Sequence, residues 1–337
     1  MSHNKLISIL LVSILLLFSG CTKETEKKQE NQTNNQPKIS LDSTNFKSTI
    51  ASTANRDKLP FAETGGINLG VYNQDGEIEK EFNFNIEENQ SLKKFISLGN
   101  LIKTDRVYKM FLLVDYKQSE FKVDNRELAK DFTFKVGAGE SIEIPIEIPP
   151  LPKGLHDITF VIAKFPDKKT LDEEFRKQTD SSNLLFVRLS TVVGGDETVN
   201  NQVKFNSYGE KKTEDMLDGV YIAKENNYKR WLTQDVTKDN DLNFYTKVGN
   251  NSNTRKQYAL IQFFDWEQMK FIDNKDVLFY DLEPNIVYSI KSKIPIKKDK
   301  GVYDLTSILI HNPFQKVTIY NQQVDTAIRV GVNVEDK

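Results

Sequence analysis

The residues able to do chemistry are few and poorly placed for it. Beyond the first 20 positions the only histidines are His156 and His311. Neither has a second histidine at the i+4 spacing that grips a metal on a helix. The single cysteine, Cys21, stands far from both, so a zinc site would have to rest on two histidines and carboxylates. Ser91-Leu-Lys-Lys94 sets a serine and a lysine at nucleophile-and-base spacing, but companion Ser-Asp-Asn and Lys-Thr-Gly segments are missing. Gly137-Ala-Gly139 lacks the third glycine of a phosphate loop and fits a hairpin turn instead. Asp239-Asn-Asp241-Leu-Asn243 begins like a calcium loop. Phe244 then occupies the place of the necessary glycine, and Asn250 that of the bidentate glutamate. The expectation is a chain without catalytic machinery, metal or cofactor. A hydrolase built on carboxylates alone would need a deep pocket lined by paired Asp or Glu.

Two features point to binding. Asp115-Tyr116-Lys-Gln118 recurs 150 residues later as Asp265-Trp266-Glu-Gln268. An aromatic ring with polar neighbours can stack on a sugar or a peptide. The competing expectation, which duplication favours, is that Tyr116 and Trp266 pack in the core while each aspartate caps the following turn. The second feature is charge. Glu143 and Glu147 align with Lys293 and Lys297, and Lys291, Lys298 and Lys300 lie close by. Residues 61–195 carry net −4 and residues 206–337 net zero. The lysines either keep a solvated edge from aggregating or meet an anionic wall polymer, lipid headgroups or an acidic strand. With 46 basic and 48 acidic residues in all, nothing suggests nucleic acid.

The elements that would position these residues read as strands repeated at about 150 residues. Gly70-Val-Tyr72 aligns with Gly219-Val-Tyr221, Gly99-Asn100 with Gly249-Asn250, Tyr108 with Tyr258, and Pro145-Ile146 with Pro295-Ile296. Gly154-Leu-His156-Asp157-Ile-Thr159 aligns with Gly301-Val-Tyr303-Asp304-Leu-Thr306, and Arg188 with Arg329. The falling offset predicts three extra residues in the first copy around Pro149–Pro152 and six after Pro166. Period-2 patterning broken by glycine turns predicts β-sandwiches, with one short helix over 171–178. The Gly-x-[His/Tyr]-Asp-[Ile/Leu]-Thr element resembles the strand entry of immunoglobulin-like and fibronectin-type-III-like domains, where an aromatic residue packs into a corner. The resemblance implies an all-β fold of two tandem immunoglobulin-like antiparallel sandwiches, over residues 59–197 and 198–337.

The N-terminal segment carries the address. Met1-Ser-His-Asn-Lys5 precedes a 13-residue apolar run, Leu6 to Phe18, then Ser19-Gly20-Cys21. A basic start, a short apolar stretch and small residues at the cut describe a signal peptide over 1–20. A permanent span needs roughly 20 apolar residues. Ser19-Gly20-Cys21 resembles the lipobox of bacterial lipoproteins. The resemblance implies cleavage before Cys21 and diacylglycerol on its sulfur. Residues 21–58 are polar and of mixed charge, and read as a lipidated flexible tether. The expected protein is lipid-anchored on the extracytoplasmic face of the cell membrane. It would act as a binding or scaffolding module, or as an accessory subunit of an envelope transporter or cell-wall complex.

Overall fold

The computed structural model describes residues 65–198, 203–213 and 216–337. The signal peptide, Cys21 and the tether lie outside the described residues. The first repeat runs β1 (Gly66–Tyr72), β2 (Asn83–Ile86), β3 (Leu92–Leu101), β4 (Arg106–Val114), β5 (Lys117–Ser119), β6 (Lys122–Val123), β7 (Asp131–Val136), β8 (Glu140–Ile148) and β9 (Gly154–Lys164). Two short helices follow, α1 (Glu173–Lys177) and α2 (Thr179–Ser182), then β10 (Leu185–Val193). The second runs β11 (Glu210–Lys212), β12 (Gly219–Ala223), β13 (Thr233–Thr237), β14 (Asp241–Asn250), β15 (Lys256–Phe264), β16 (Glu267–Met269) and β17 (Leu278–Leu282). It ends with β18 (Ile286–Pro295), β19 (Gly301–His311), β20 (Val324–Thr326) and β21 (Val330–Glu335). The expected helix forms at α1, where the Asp172 carboxylate accepts from the Glu174 N–H at the N-cap.

Each repeat is an immunoglobulin-like sandwich. In the first, a β1-β3-β8-β6 sheet faces a β2-β10-β9-β4-β5 sheet, with β7 also on β4. In the second, β11-β18-β14-β12 faces β13-β21-β19-β15-β16, with β17 on β15 and β20 on β19. The only parallel pairs among the named strands are β2 on β10 and its counterpart β13 on β21. Alternation sends one face of every strand inward. Ile96, Leu112, Ile144 and Phe160 fill the first core, and Phe244, Leu260, Ile294 and Leu309 the second. Asn100 and Asn250 are equivalent anchors. Each buried amide donates to three backbone carbonyls, those of Thr104, Val136 and Gly137 in one copy and of Thr254, Leu282 and Glu283 in the other.

The registers correct part of the sequence alignment. Phe95 pairs with Pro145 while its counterpart Tyr245 pairs with Lys291, so Pro145 corresponds to Lys291 and not to Pro295. By the same register Glu147 corresponds to Lys293, Glu143 to Ser289. Ser97 pairs with Gly70 while Lys247 pairs with Tyr221, so the two Gly-Val-Tyr segments are out of step by two. The extra residues of the first copy fall between β5 and β7, where β6 forms, rather than at Pro149–Pro152. Pro-Ile is a two-residue match within an alternating strand, too short to fix the register. The extra residues after Pro166 are where expected and carry α1 and α2.

The second sandwich core holds one polar group of three. Gln262 Nε2 donates to Thr246 Oγ1 at 2.7 Å and to Ser292 Oγ at 2.9 Å. Leu112, Ile96 and Ile146 stand at the equivalent places in the first copy. Both Gln262 donors are thereby matched within a buried site, as burial requires.

Candidate functional site

The conspicuous residues converge on one place, the seam between the two sandwiches. The β4–β9 face and the β15–β19 face pack against each other to make a third apolar core. Phe111, Leu113, Tyr116, Val161 and Ala163 meet Ile261, Phe263, Trp266, Ile308 and Ile310. The Phe111 and Phe263 rings lie 5.0 Å apart. This explains why β9 is buried along its entire length: both of its faces are covered.

Asp115-Tyr116 and Asp265-Trp266 are the two central residues of the β4–β5 and β15–β16 hairpins. All four have positive φ, between 49° and 70°. That is the two-residue turn whose twist matches the flanking strands, normally built from Asn or Asp with Gly. An aromatic residue there is strained, and the seam explains its presence. Tyr116 and Trp266 are 1% and 3% exposed, so neither ring is a platform for an external ligand. The packing expectation holds for the rings, but the core they enter is the shared one. Asp115 does not cap its turn with its side chain. It accepts from His156 Nδ1 at 2.8 Å and from the Asp157 N–H at 3.0 Å.

Gln118 and Gln268 lock the seam by reciprocal exchange. The Gln118 N–H donates to Gln268 Oε1 at 2.6 Å, and the Gln268 N–H to Gln118 Oε1 at 2.9 Å. Gln118 Nε2 donates to the Trp266 carbonyl and Gln268 Nε2 to the Tyr116 carbonyl, both at 3.0 Å. Residue i of one copy bonds residue j of the other and the converse holds, the signature of a local two-fold. The arginines obey it too. Arg188 pairs with Asp157 in its own sandwich and donates across the seam to the carbonyls of His311 and Asn312. Arg329 pairs with Asp304 and donates across to Lys164 and Phe165, the equivalent carbonyls. Arg176 on α1 adds a second arginine to Asp304 at 2.5 Å. Burial alone would raise the Asp304 carboxyl pKa, but Arg329, Arg176 and Lys169 outweigh it and hold the group below its usual value. A carboxylate kept ionised and doubly paired is a poor general acid.

The corner predicted from the Gly-x-[His/Tyr]-Asp element is present. Tyr303 OH donates to the Asp299 carbonyl at 2.8 Å, and His156 Nε2 contacts the Pro152 carbonyl at 2.7 Å, each four residues upstream. Histidine thus fills a tyrosine position, as a packing role requires. Its two nitrogens face two acceptors, Asp115 and the Pro152 carbonyl, which favours the imidazolium. Burial works against that charge, but these two bonds prevail and raise the His156 pKa above 6.5. The stability His156 contributes is complete below pH 6.5 and is lost as pH rises through the raised folded value. Urea unfolding across that window should show the decline in the wild type and a flatter profile in His156→Tyr. An unchanged slope in the variant would assign the pH dependence elsewhere. His311 sits at another place, with Nε2 2.7 Å from Asp325 and its ring edge-on to Tyr258. Among the described residues no group of three His, Cys, Asp or Glu is placed to hold a metal.

The sequence-predicted lysines lie on or just after β18 and are mostly paired. Lys293 meets Asp241 at 2.7 Å and Lys297 meets Asp239 at 3.3 Å, which also engages the aspartates of the calcium-like segment. Lys298 reaches Glu267 at 3.2 Å and Asp265 at 3.6 Å, and Lys300 lies 4.0 Å from Asp336. Lys291 is exposed and has no ion-pair partner among the described residues.

Several surface concavities remain among the described residues. A polar groove of about 830 Å³ runs beside β2, lined by Asn83, Phe84, Asn85, Gln90 and Lys93. An apolar cleft of about 410 Å³ lies between β1, β10 and the β19–β20 loop, with Leu69, Phe82, Phe186 and Ile319 in its walls. A cationic pocket of about 430 Å³ opens on the β11–β18–β14–β12 sheet around Lys211, Lys212 and Lys247. Sequence reasoning missed the apolar cleft and the cationic pocket because each is assembled from separated segments, whereas the polar groove is lined by residues 74–94 alone.

No family model matches the chain, and no curated protein matches it. Among solved structures it is similar to a CARDB domain from Pyrococcus furiosus, solved in complex with di-metal ions, at 11% identity and TM-score 0.26. That match covers 41% of this chain and 100% of the other. It is also similar to red sea bream transglutaminase, at 9% identity and TM-score 0.22, over 80% of this chain and 31% of the enzyme. A third similarity is to the cupredoxin domain of amoB from Nitrosocaldus yellowstonii, at 14% identity and TM-score 0.21, over 34% of this chain and 63% of that one.

Proposed function

We propose that the protein is a non-catalytic binding or scaffolding module, held by lipid on Cys21 at the extracytoplasmic face of the cell membrane. One observation carries the reading: the residues with chemical potential are committed to joining the two sandwiches. His156, Asp157, Asp304, Arg188 and Arg329 are all buried and bonded within the seam or its corners. What remains is a body with polar and apolar concavities on its surface, preceded by a segment with the residues of a lipobox. Two acyl chains suffice for stable anchoring, since each buried CH₂ contributes about 0.8 kcal/mol. Cys21→Ser should move the folded protein from the membrane fraction to the medium, read by fractionation and by loss of labelled palmitate. A variant that stays membrane-bound would refute the anchor.

A second reading, accessory subunit of an envelope transporter or cell-wall complex, is favoured by the apolar cleft. Beside it Ile319 and Tyr320 are 58% and 90% exposed, the kind of patch a protein partner covers. Ile319→Asp would then abolish co-purification of a defined membrane protein, and retention of that partner would dismiss this reading.

A further inference from the structure

We propose that the outer face of the β11–β18–β14–β12 sheet binds an anionic glycan, a hydroxyl-rich chain bearing phosphodiester or carboxylate groups. The proposal rests on the binding-module reading and names its ligand class and its site.

Lys247 is the anchor. On β14 Leu242, Phe244 and Val248 enter the sandwich core, so the alternate residue Lys247 points to the outer face. It is nevertheless 2% exposed, because the segment after β12 folds over it and lays the Tyr228 ring 3.9 Å from Nζ. The Lys212 hydrogen bond, and with it the nearby Lys247 charge, holds the Glu210 carboxyl below its usual value, so the Lys247 ammonium has a counter-charge within reach. The equivalent residue of the first repeat is Ser97. Likewise Pro145 and Glu147 of the first repeat stand where the second has Lys291 and Lys293. The cationic face therefore belongs to one copy only, the copy that adds β11 to this sheet.

The pocket around Lys247 combines three recognition chemistries. Lys211 and Lys212 bring two more ammonium groups to its rim, with Asn226, Asn227 and Tyr228 completing the wall. Lys212 is matched by Glu210 at 2.5 Å, whereas Lys211 has no ion-pair partner among the described residues. Asn226 is oriented by Ser289 Oγ at 2.6 Å and reaches Glu210 Oε2 at 3.2 Å. Tyr228 is held by its carbonyl, which accepts from Tyr221 OH at 2.9 Å. Fixed amides suit sugar hydroxyls, a braced ring suits a sugar face, and the exposed Lys211 ammonium suits phosphate or carboxylate. About 430 Å³ accommodates one or two sugar-sized units. Lys291, one row along the same face, extends the cationic track.

The test uses the full chain carrying Cys21→Ser, titrated by calorimetry with poly(glycerol phosphate), oligogalacturonate and neutral dextran oligomers. The expected result is binding of an anionic probe and none of dextran, with the phosphate and uronate arms ranking the two ligand sources. Lys211→Glu and Tyr228→Ala should each weaken that binding by about tenfold. Both are surface changes, and a retained unfolding midpoint shows that the fold is intact. Lys247→Gln would add to the case but risks the fold. Lys297→Glu, outside the pocket, should leave binding within about twofold by additivity of distant sites. Anionic binding indifferent to Lys211→Glu and Tyr228→Ala would overturn the site while the binding-module reading stands. Failure of the folded chain to bind either anionic probe would overturn the ligand class. Equal loss from Lys297→Glu would reduce the effect to general charge and overturn the site as well.

Discussion

Asp304→Ala should destabilise the two-sandwich body by about 3–5 kcal/mol, the cost of leaving buried charge unpaired. The carboxylate has no exposure and accepts from Arg329 Nη2 at 2.7 Å and from Arg176 Nη1 at 2.5 Å. Removing it strands two guanidinium groups that are each 1% exposed. Arg329 also crosses the seam to Lys164 and Phe165, so its displacement loosens the contact between repeats as well as its own sandwich. For a domain pair of this size the loss corresponds to a Tm lower by on the order of 10 °C. Arg176→Ala is the informative partner. It leaves Asp304 paired with Arg329 and should cost less, about 1–3 kcal/mol. Acid reproduces the effect only at low pH. The folded pKa is depressed, so the contribution is present above 3.8 and disappears as pH falls through the folded value. Denaturant titration of both variants checks this. A change under about 1 kcal/mol for Asp304→Ala would mean that the network contributes little to folding.

How far the sequence leads differs between fold and seam. The strands, the duplication and the Arg188–Arg329 and Asp157–Asp304 correspondences are legible, because period-2 patterning and buried polar residues are kept when a domain doubles. The role of those pairs is not legible. Asp-aromatic-x-Gln reads the same whether its ring enters a sandwich core or a face shared by two sandwiches. One signal did point to the shared face. Val107–Tyr116 and Tyr258–Trp266 are apolar with hardly any alternation, which in a sheet indicates cover on both sides. The sandwich expectation supplies cover for one side only, and the second sandwich supplies the other. The lysine comparison failed at a different level. Its sign contrast survives as Glu147 against Lys293, but the four-residue shift that begins between β5 and β7 moves every partner. Lys247 escaped notice for the same reason as most buried charges do: its burial depends on Tyr228, which precedes it by 19 residues and on no visible period.

Trp266→Ala should cost about 3–5 kcal/mol and should do so without a comparable effect from Trp266→Phe. The ring is 3% exposed, lies 6.4 Å from Phe111 across the seam, and stacks under the Arg329 guanidinium at 4.8 Å. Truncation opens a cavity where both sandwiches and the arginine network meet, and three layers of contact lose one wall. The positive φ of 68° adds no compensation, since alanine gains nothing there that tryptophan lacks. Phenylalanine keeps the apolar face and discards an indole N–H that has no hydrogen-bond partner among the described residues. Losing an unsatisfied donor offsets part of the lost area, so Trp266→Phe should fall within about 1.5 kcal/mol of the wild type. The comparison separates two accounts of the seam. If the ring matters through packing, the alanine variant unfolds earlier in urea and the phenylalanine variant does not. If instead the seam is held by the Gln118–Gln268 exchange alone, both variants should unfold at the wild-type midpoint, and the third core would have to be regarded as contact without consequence.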